Sequence, residues 1–225
     1  VLANLFALAA ARLLMAEVRA GWGRIVARWT ILFLLFQPFS GMFSSFRPES
    51  LLLLFAVGAW VAGRRGHWWI AWVCVGLATL TRSQGVLVAL LLIDPLWAQR
   101  DVLRQRPWPI LLGPLLPIAA LVGFSAYMGW LTGEPLAWAR IQAAWGRAGF
   151  DPLGLLDAYW PPLFVRYSWD FALLNWGILV GAIACAAALL HLRRHGMALF
   201  TLVWVGGGAA FGASTIAMGR YLTTV

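Results

Sequence analysis

Long apolar runs, separated by short links that hold most of the positive charge, restrict this chain more than any other feature. Of its 225 residues 62% are hydrophobic and 11% charged, with a mean hydropathy of +0.81. Helices that satisfy their own backbone hydrogen bonds are the economical way to place such runs in lipid, so the sequence predicts an all-α, polytopic transmembrane bundle. The formal charge of +9 would suggest nucleic acid in a water-soluble chain. Here all 17 basic residues are arginine, most lie between apolar runs, and topology accounts for them without a nucleic-acid partner. Cys74 and Cys185 sit inside apolar runs as small hydrophobes, and no metal-ligand or disulfide spacing occurs.

Taken in order, Leu2 to Ala16 reads as the end of a first helix, and Glu17 to Arg28 as a cytoplasmic link. Trp29 to Phe46 goes outward, Glu49 to Gly63 returns to the tight basic turn Arg64-Arg65-Gly66-His67, and Trp68 to Thr81 goes outward again. Val86 to Ala98 comes back, with Asp94-Pro95 breaking or ending that helix. Trp108 to Trp130, kinked by Pro109, Pro114 and Pro117, opens into an extracytoplasmic loop over residues 131–169, where Pro135 to Arg147 suits a short interfacial helix. Asp170 to Leu192 and Met197 to Met218 complete about eight spans in one membrane domain, residues 1–225, with Gly206, Gly207 and Gly208 suited to close packing. The chain opens within one apolar segment and closes as another starts. It therefore reads as a fragment, with an N-terminal helix, the first extracytoplasmic loop and C-terminal helices lying beyond it.

The arginines test this alternation. Ten fall on the proposed inner links (19, 24, 28, 64, 65, 100, 104, 106, 193, 194) and six on the outer segments (47, 82, 140, 147, 166, 220). Topology does not ask for the outer six, and five of the eight acids share their side. Length sharpens the point: the run Trp68 to Thr81 reaches only ~21 Å as a helix, short of a ~30 Å hydrocarbon core. Arg82 is thus expected below the outer surface, with Arg82 to Gly85 flooring a cleft and Gly85 allowing a sharp turn. Glu49 opens its run at a similar depth, and charge there is costly enough to mark both residues as functional candidates. The plainer alternative is that Glu49 pairs with Arg47 or Arg82 and caps the helix beginning at Ser50.

Gln37-Pro38-Phe39-Ser40, Pro48-Glu49-Ser50, Leu77-Ala78-Thr79-Leu80-Thr81-Arg82-Ser83-Gln84-Gly85, Gly133-Glu134-Pro135-Leu136-Ala137 with Gln142, Trp145, Gly146 and Arg147, and the late pair Arg220-Tyr221 follow one another in this chain. Together they resemble the motifs of PIG-V-type (GPI mannosyltransferase-like) enzymes and their bacterial relatives in the GT-C superfamily of polyprenyl-phosphate-sugar-dependent glycosyltransferases. The chain departs from that pattern at Phe46-Arg47-Pro48, where the family usually has tyrosine and threonine before the glutamate.

The resemblance implies a multi-pass protein of a bacterial plasma membrane that transfers a sugar, most simply mannose, from a polyprenyl-phosphate carrier to an acceptor on the extracytoplasmic face. It assigns Arg82, Arg220 and Arg147 to the carrier phosphate, Ser83, Gln84, Gln142, Trp145 and Tyr221 to substrate binding, and Glu49 to a catalytic carboxylate. The family's main aspartate belongs to the first extracytoplasmic loop, through which a divalent cation is also possible; no cofactor is identified within this chain. A transporter or flippase for a lipid-linked or anionic substrate is the rival reading. It fits less well, because no repeat relates the two halves and the polar residues gather on one face.

Overall fold

The computed structural model describes residues 2–36, 43, 48–105, 107–144 and 166–210, and these residues are helical apart from their turns. Contacts divide the chain into two compact units that meet in sequence between Val122 and Gly123.

Helix α1 runs from Leu2 to Phe36. Two helices meet within it, at Gly23, whose φ of 88° and ψ of 174° leave the helical path in a conformation that a side chain would oppose. The link predicted over Glu17 to Arg28 is thus helical on either side of a break near its centre, since its alanines, arginines and glutamate are good helix formers and it has no proline.

Helices α2 (Glu49–Arg64) and α3 (Trp68–Thr81) form an antiparallel hairpin. Their turn is a Schellman motif: the His67 amide donates to Ala62 O at 2.9 Å, the Gly66 amide to Gly63 O at 3.1 Å, and Gly66 takes φ 77°. Helix α3 has the predicted limits because Arg82 is extended, at φ −151° and ψ 139°, and leaves the helical path.

Next comes a 3-10 helix, Ser83–Leu92, which passes into α4 (Ile93–Ala98). Ten residues is long for that tighter coil. Asp94-Pro95 does not end a helix here but opens one, since the first turn has amide groups without intrahelical partners and loses nothing to proline. Gly85 has a different use from the predicted turn: a Cβ there would overlap the backbone of Ala78 and Thr79, so it lets the 3-10 segment lie directly on the last turn of α3. Leu52, Val75, Val88 and Leu92, from α2, α3 and the 3-10 segment, are fully buried and form the centre of this unit.

After α5 (Arg100–Gln105), helices α6 (Trp108–Leu112) and α7 (Leu115–Thr132) make a span broken at Gly113-Pro114, in line with the predicted kink. Gly113 lies flush against the Trp72 ring. Residues Trp108–Thr132 form the one stretch among the described residues long and apolar enough to cross a membrane by itself; four further apolar helices are shorter.

In the second unit α8 (Ala137–Ala144) covers the middle of the predicted interfacial helix, held where the Trp138 indole N–H donates to Ser125 Oγ at 3.0 Å. Helices α9 (Arg166–His191) and α10 (His195–Ala210) form a second hairpin, burying Ile178, Ala182 and Ala186 at four-residue spacing on α9. Its turn is again a Schellman motif, but Arg193 occupies the left-handed position at φ 56°. Gly206 was predicted at a close helix contact; a Cβ there would meet nothing within 4 Å.

Candidate functional site

Hairpin arithmetic brings the two costliest charges together. Helices of 16 and 14 residues joined by a three-residue turn place the first residue of α2 opposite the residue that follows α3. These are Glu49 and Arg82, and Arg82 Nη1 donates to Glu49 Oε1 at 3.1 Å. Glu49 is only 1% exposed, while the Arg82 side chain keeps 21% of its surface open. The helix begins at Glu49 itself, with Pro48 at the cap position and no capping side chain. The amide end of α2 favours the carboxylate there.

The neighbouring Ser50 hydroxyl, also buried, donates to Phe43 O at 2.9 Å. Thr79 and Thr81 turn their hydroxyls back onto Val75 O and Leu77 O, so they do not compete for Glu49.

One oxygen of this pair is left over. Glu49 Oε2 is buried and has no hydrogen-bond partner among the described residues. A carboxylate oxygen taken from water without a donor loses roughly 1–3 kcal/mol or more. The arrangement has room in its chemistry for one more donor, either a hydroxyl or an N–H.

Of the residues predicted to bind substrate, Arg82, Ser83 and Gln84 are consecutive beside Glu49, with Ser83 exposed and Gln84 half-buried. Gln142 lies on α8, in the second unit. Trp145, Arg147, Arg220 and Tyr221 fall outside the described residues, as does Arg47. The first of the two predicted partners of Glu49 is thus not described, and the second, Arg82, is the one observed.

A second buried carboxylate, which the sequence did not single out, lies at the opposite end of the α2–α3 hairpin. Glu17 of α1 is 7% exposed; its Oε2 accepts from Arg65 Nη2 at 3.0 Å, and its Oε1 lies 3.3 Å from Arg64 Nη1, an ion pair without hydrogen-bond alignment. The Arg64 guanidinium is 5.3 Å from the Trp22 ring centre and 5.1 Å from that of Trp60. Gln99 Nε2 closes the same end by donating to the last carbonyls of α2, Gly63 O at 2.9 Å and Arg64 O at 3.2 Å. The signal available beforehand was only that Glu17 is a lone acid among many arginines.

Among the described residues no three His, Cys, Asp or Glu side chains come close enough to hold a metal ion. Neither the protein-family models, nor the curated proteins, nor the solved structures contain a match to this chain.

Proposed function

We propose that this chain belongs to a membrane glycosyltransferase that moves a sugar from a polyprenyl-phosphate carrier to an acceptor hydroxyl, with Glu49 and Arg82 at its centre. The observation that carries the reading is the buried Glu49–Arg82 pair with its unpartnered Oε2. Such a site offers the two things the reaction needs: a cation for the leaving phosphate and a carboxylate for the acceptor proton.

The chemistry balances simply. The acceptor oxygen forms a bond to the anomeric carbon while the bond from that carbon to the carrier phosphate breaks. The polyprenyl phosphate leaves with the electron pair, its oxygens held by the Arg82 guanidinium, which stays charged in an apolar setting. The acceptor's proton passes to Glu49 Oε2 and from there to water. Ser83 and Gln84, next in the chain, are placed to bind sugar or phosphate oxygens. Gln142, Trp145, Arg147, Arg220 and Tyr221 complete the proposed binding set on the strength of the motifs alone.

A bilayer setting for all eight spans is part of the same proposal. Helix α3 exposes Trp69, Val73, Leu77 and Leu80 along one stripe at helical spacing, and only 11% of an apolar 18-residue window within Trp108–Thr132 is buried, which suits lipid better than water. Arg64 and Arg65 mark one end of the α2–α3 hairpin, so positive-inside topology puts Glu49 and Arg82 at the extracytoplasmic end.

The test is sugar transfer by the protein in membranes supplied with radiolabelled polyprenyl-phosphate-mannose, comparing wild type with Arg82→Ala. Transfer by wild type that falls about 100-fold or more in a normally inserted variant supports the reading. Absence of transfer from any polyprenyl-phosphate sugar, or full activity in the variant, overturns it and favours a transporter.

A further inference from the structure

We infer that the Glu49–Arg82 ion pair is a donor-operated latch: the carrier phosphate takes the Arg82 guanidinium from Glu49, and only then is the carboxylate released to receive the acceptor proton. This rests on the proposed glycosyltransferase reading and adds to it an order of events.

Three features lead there. First, Glu49 Oε1 already uses Arg82 Nη1, at 3.1 Å, so the cation needed for phosphate is engaged by the carboxylate needed for the acceptor. The guanidinium cannot be held by the carboxylate and given to phosphate at once, so the two anions compete for Arg82. Second, the two partners differ in access. The Glu49 side chain is 2% exposed and the Arg82 side chain 21%, so an incoming anion reaches the arginine before it reaches the acid. Third, Oε2 is buried with no donor among the described residues, which leaves that oxygen for the acceptor hydroxyl while the other is held.

Backbone geometry fits such an exchange. Arg82 lies on a single extended residue between the end of α3 and the start of the 3-10 helix, and its carbonyl accepts from the Gly85 amide at 2.7 Å. Its backbone is fixed, so its long side chain is what moves. Glu49 is the first residue of a helix whose neighbour Ser50 is anchored to Phe43 O, which leaves the acid stationary. A phosphate seated on Arg82 would stand beside a fixed carboxylate, and their repulsion adds to the loss of the pair. Without the carrier, Glu49 Oε1 is occupied by Arg82. The latch thus makes donor-first binding the productive order.

The sign of one substitution separates this from an ordinary positioning role. If Glu49 merely orients Arg82 for phosphate, Glu49→Gln weakens phosphate binding. If Glu49 competes with phosphate, the same change strengthens it. The measurement is the affinity of the purified protein in lipid nanodiscs for a fluorescent polyprenyl phosphate that carries no sugar, in wild type, Glu49→Gln and Glu49→Asp.

The latch predicts roughly tenfold tighter binding in Glu49→Gln, a smaller gain in Glu49→Asp, whose shorter arm holds Arg82 less firmly, and loss of binding in Arg82→Ala. Unchanged or weaker binding in Glu49→Gln with its helical signal intact overturns the latch. Should that variant fail to insert, Glu49→Asp decides by the same sign. The two readings fail separately: tighter binding in a protein that transfers no sugar leaves the latch standing without the transferase, whereas transfer by wild type without tighter binding in Glu49→Gln removes the latch alone.

Discussion

Two buried glutamates sit at opposite ends of the α2–α3 hairpin, and they are finished differently. Glu17 has an arginine on each carboxylate oxygen, and one of those arginines is further covered by Trp22 and Trp60. Glu49 has Arg82 on one oxygen and, among the described residues, no partner on the other. A buried charge countered on both oxygens serves to join elements, here α1 to the hairpin turn. A half-satisfied one carries a standing cost that packing alone does not explain. Burial alone does not separate these two carboxylates; what stands on each oxygen does.

The largest effect expected from breaking this contrast is at Glu17. Glu17→Ala leaves Arg64 beside two indole rings without its counter-charge. Thermal unfolding in detergent should register a loss of about 2–4 kcal/mol, at the low end of what breaking a buried pair costs because Arg65 reaches water. Equal stability in the variant would mean that the cluster is ornamental.

At the other end, Arg82→Lys keeps the charge but loses the planar fork. Transfer should fall about 10- to 100-fold, with unfolding unchanged within about 1 kcal/mol. A lysine that restores full rate would show that only charge matters there.

A third change asks whether the site depends on the close approach beside it. Gly85→Ala drives a methyl into the Ala78–Thr79 backbone, and should cost about 1–3 kcal/mol in stability while displacing Arg82 and lowering transfer. A silent Gly85→Ala would detach the 3-10 segment from the account.

The smallest effects belong to the two Schellman turns, as controls outside both carboxylates. Gly66→Ala should lose about 1 kcal/mol and Arg193→Gly gain about 1 kcal/mol, because each turn needs a left-handed residue and only one has a glycine for it. Neither change should alter transfer per folded molecule.

These residues also show what could be read beforehand. Helix α3 was legible to the residue, since an apolar run between His67 and Arg82 leaves no choice of boundary. Glu49 and Arg82 stood out because charge at the ends of short apolar runs is expensive, and their pairing follows from nearly equal helix lengths. The cluster of arginines over 17–28 looks like a link, and the structure breaks there at Gly23 alone, with helix on either side of it. The 3-10 stretch was hidden for another reason: an unbroken Val/Leu/Ala run has no polar face from which to read a period. Glu17 gave no warning because its partners are 47 and 48 residues away in sequence, and a lone acid among arginines looks solvated. Gly85 was noticed for the wrong property, since spacing can suggest a turn but cannot reveal another backbone lying against it.

The most direct test of the contrast is to measure sugar transfer per folded molecule in Glu49→Gln and Glu17→Gln side by side, in membranes supplied with radiolabelled polyprenyl-phosphate-mannose. The account predicts that Glu49→Gln folds as well as wild type and loses about 10³-fold in transfer, while Glu17→Gln loses stability and keeps its rate in the molecules that remain folded. Wild-type transfer by Glu49→Gln would contradict it, and would make the unpartnered oxygen of Glu49 a defect of packing with no part in the chemistry.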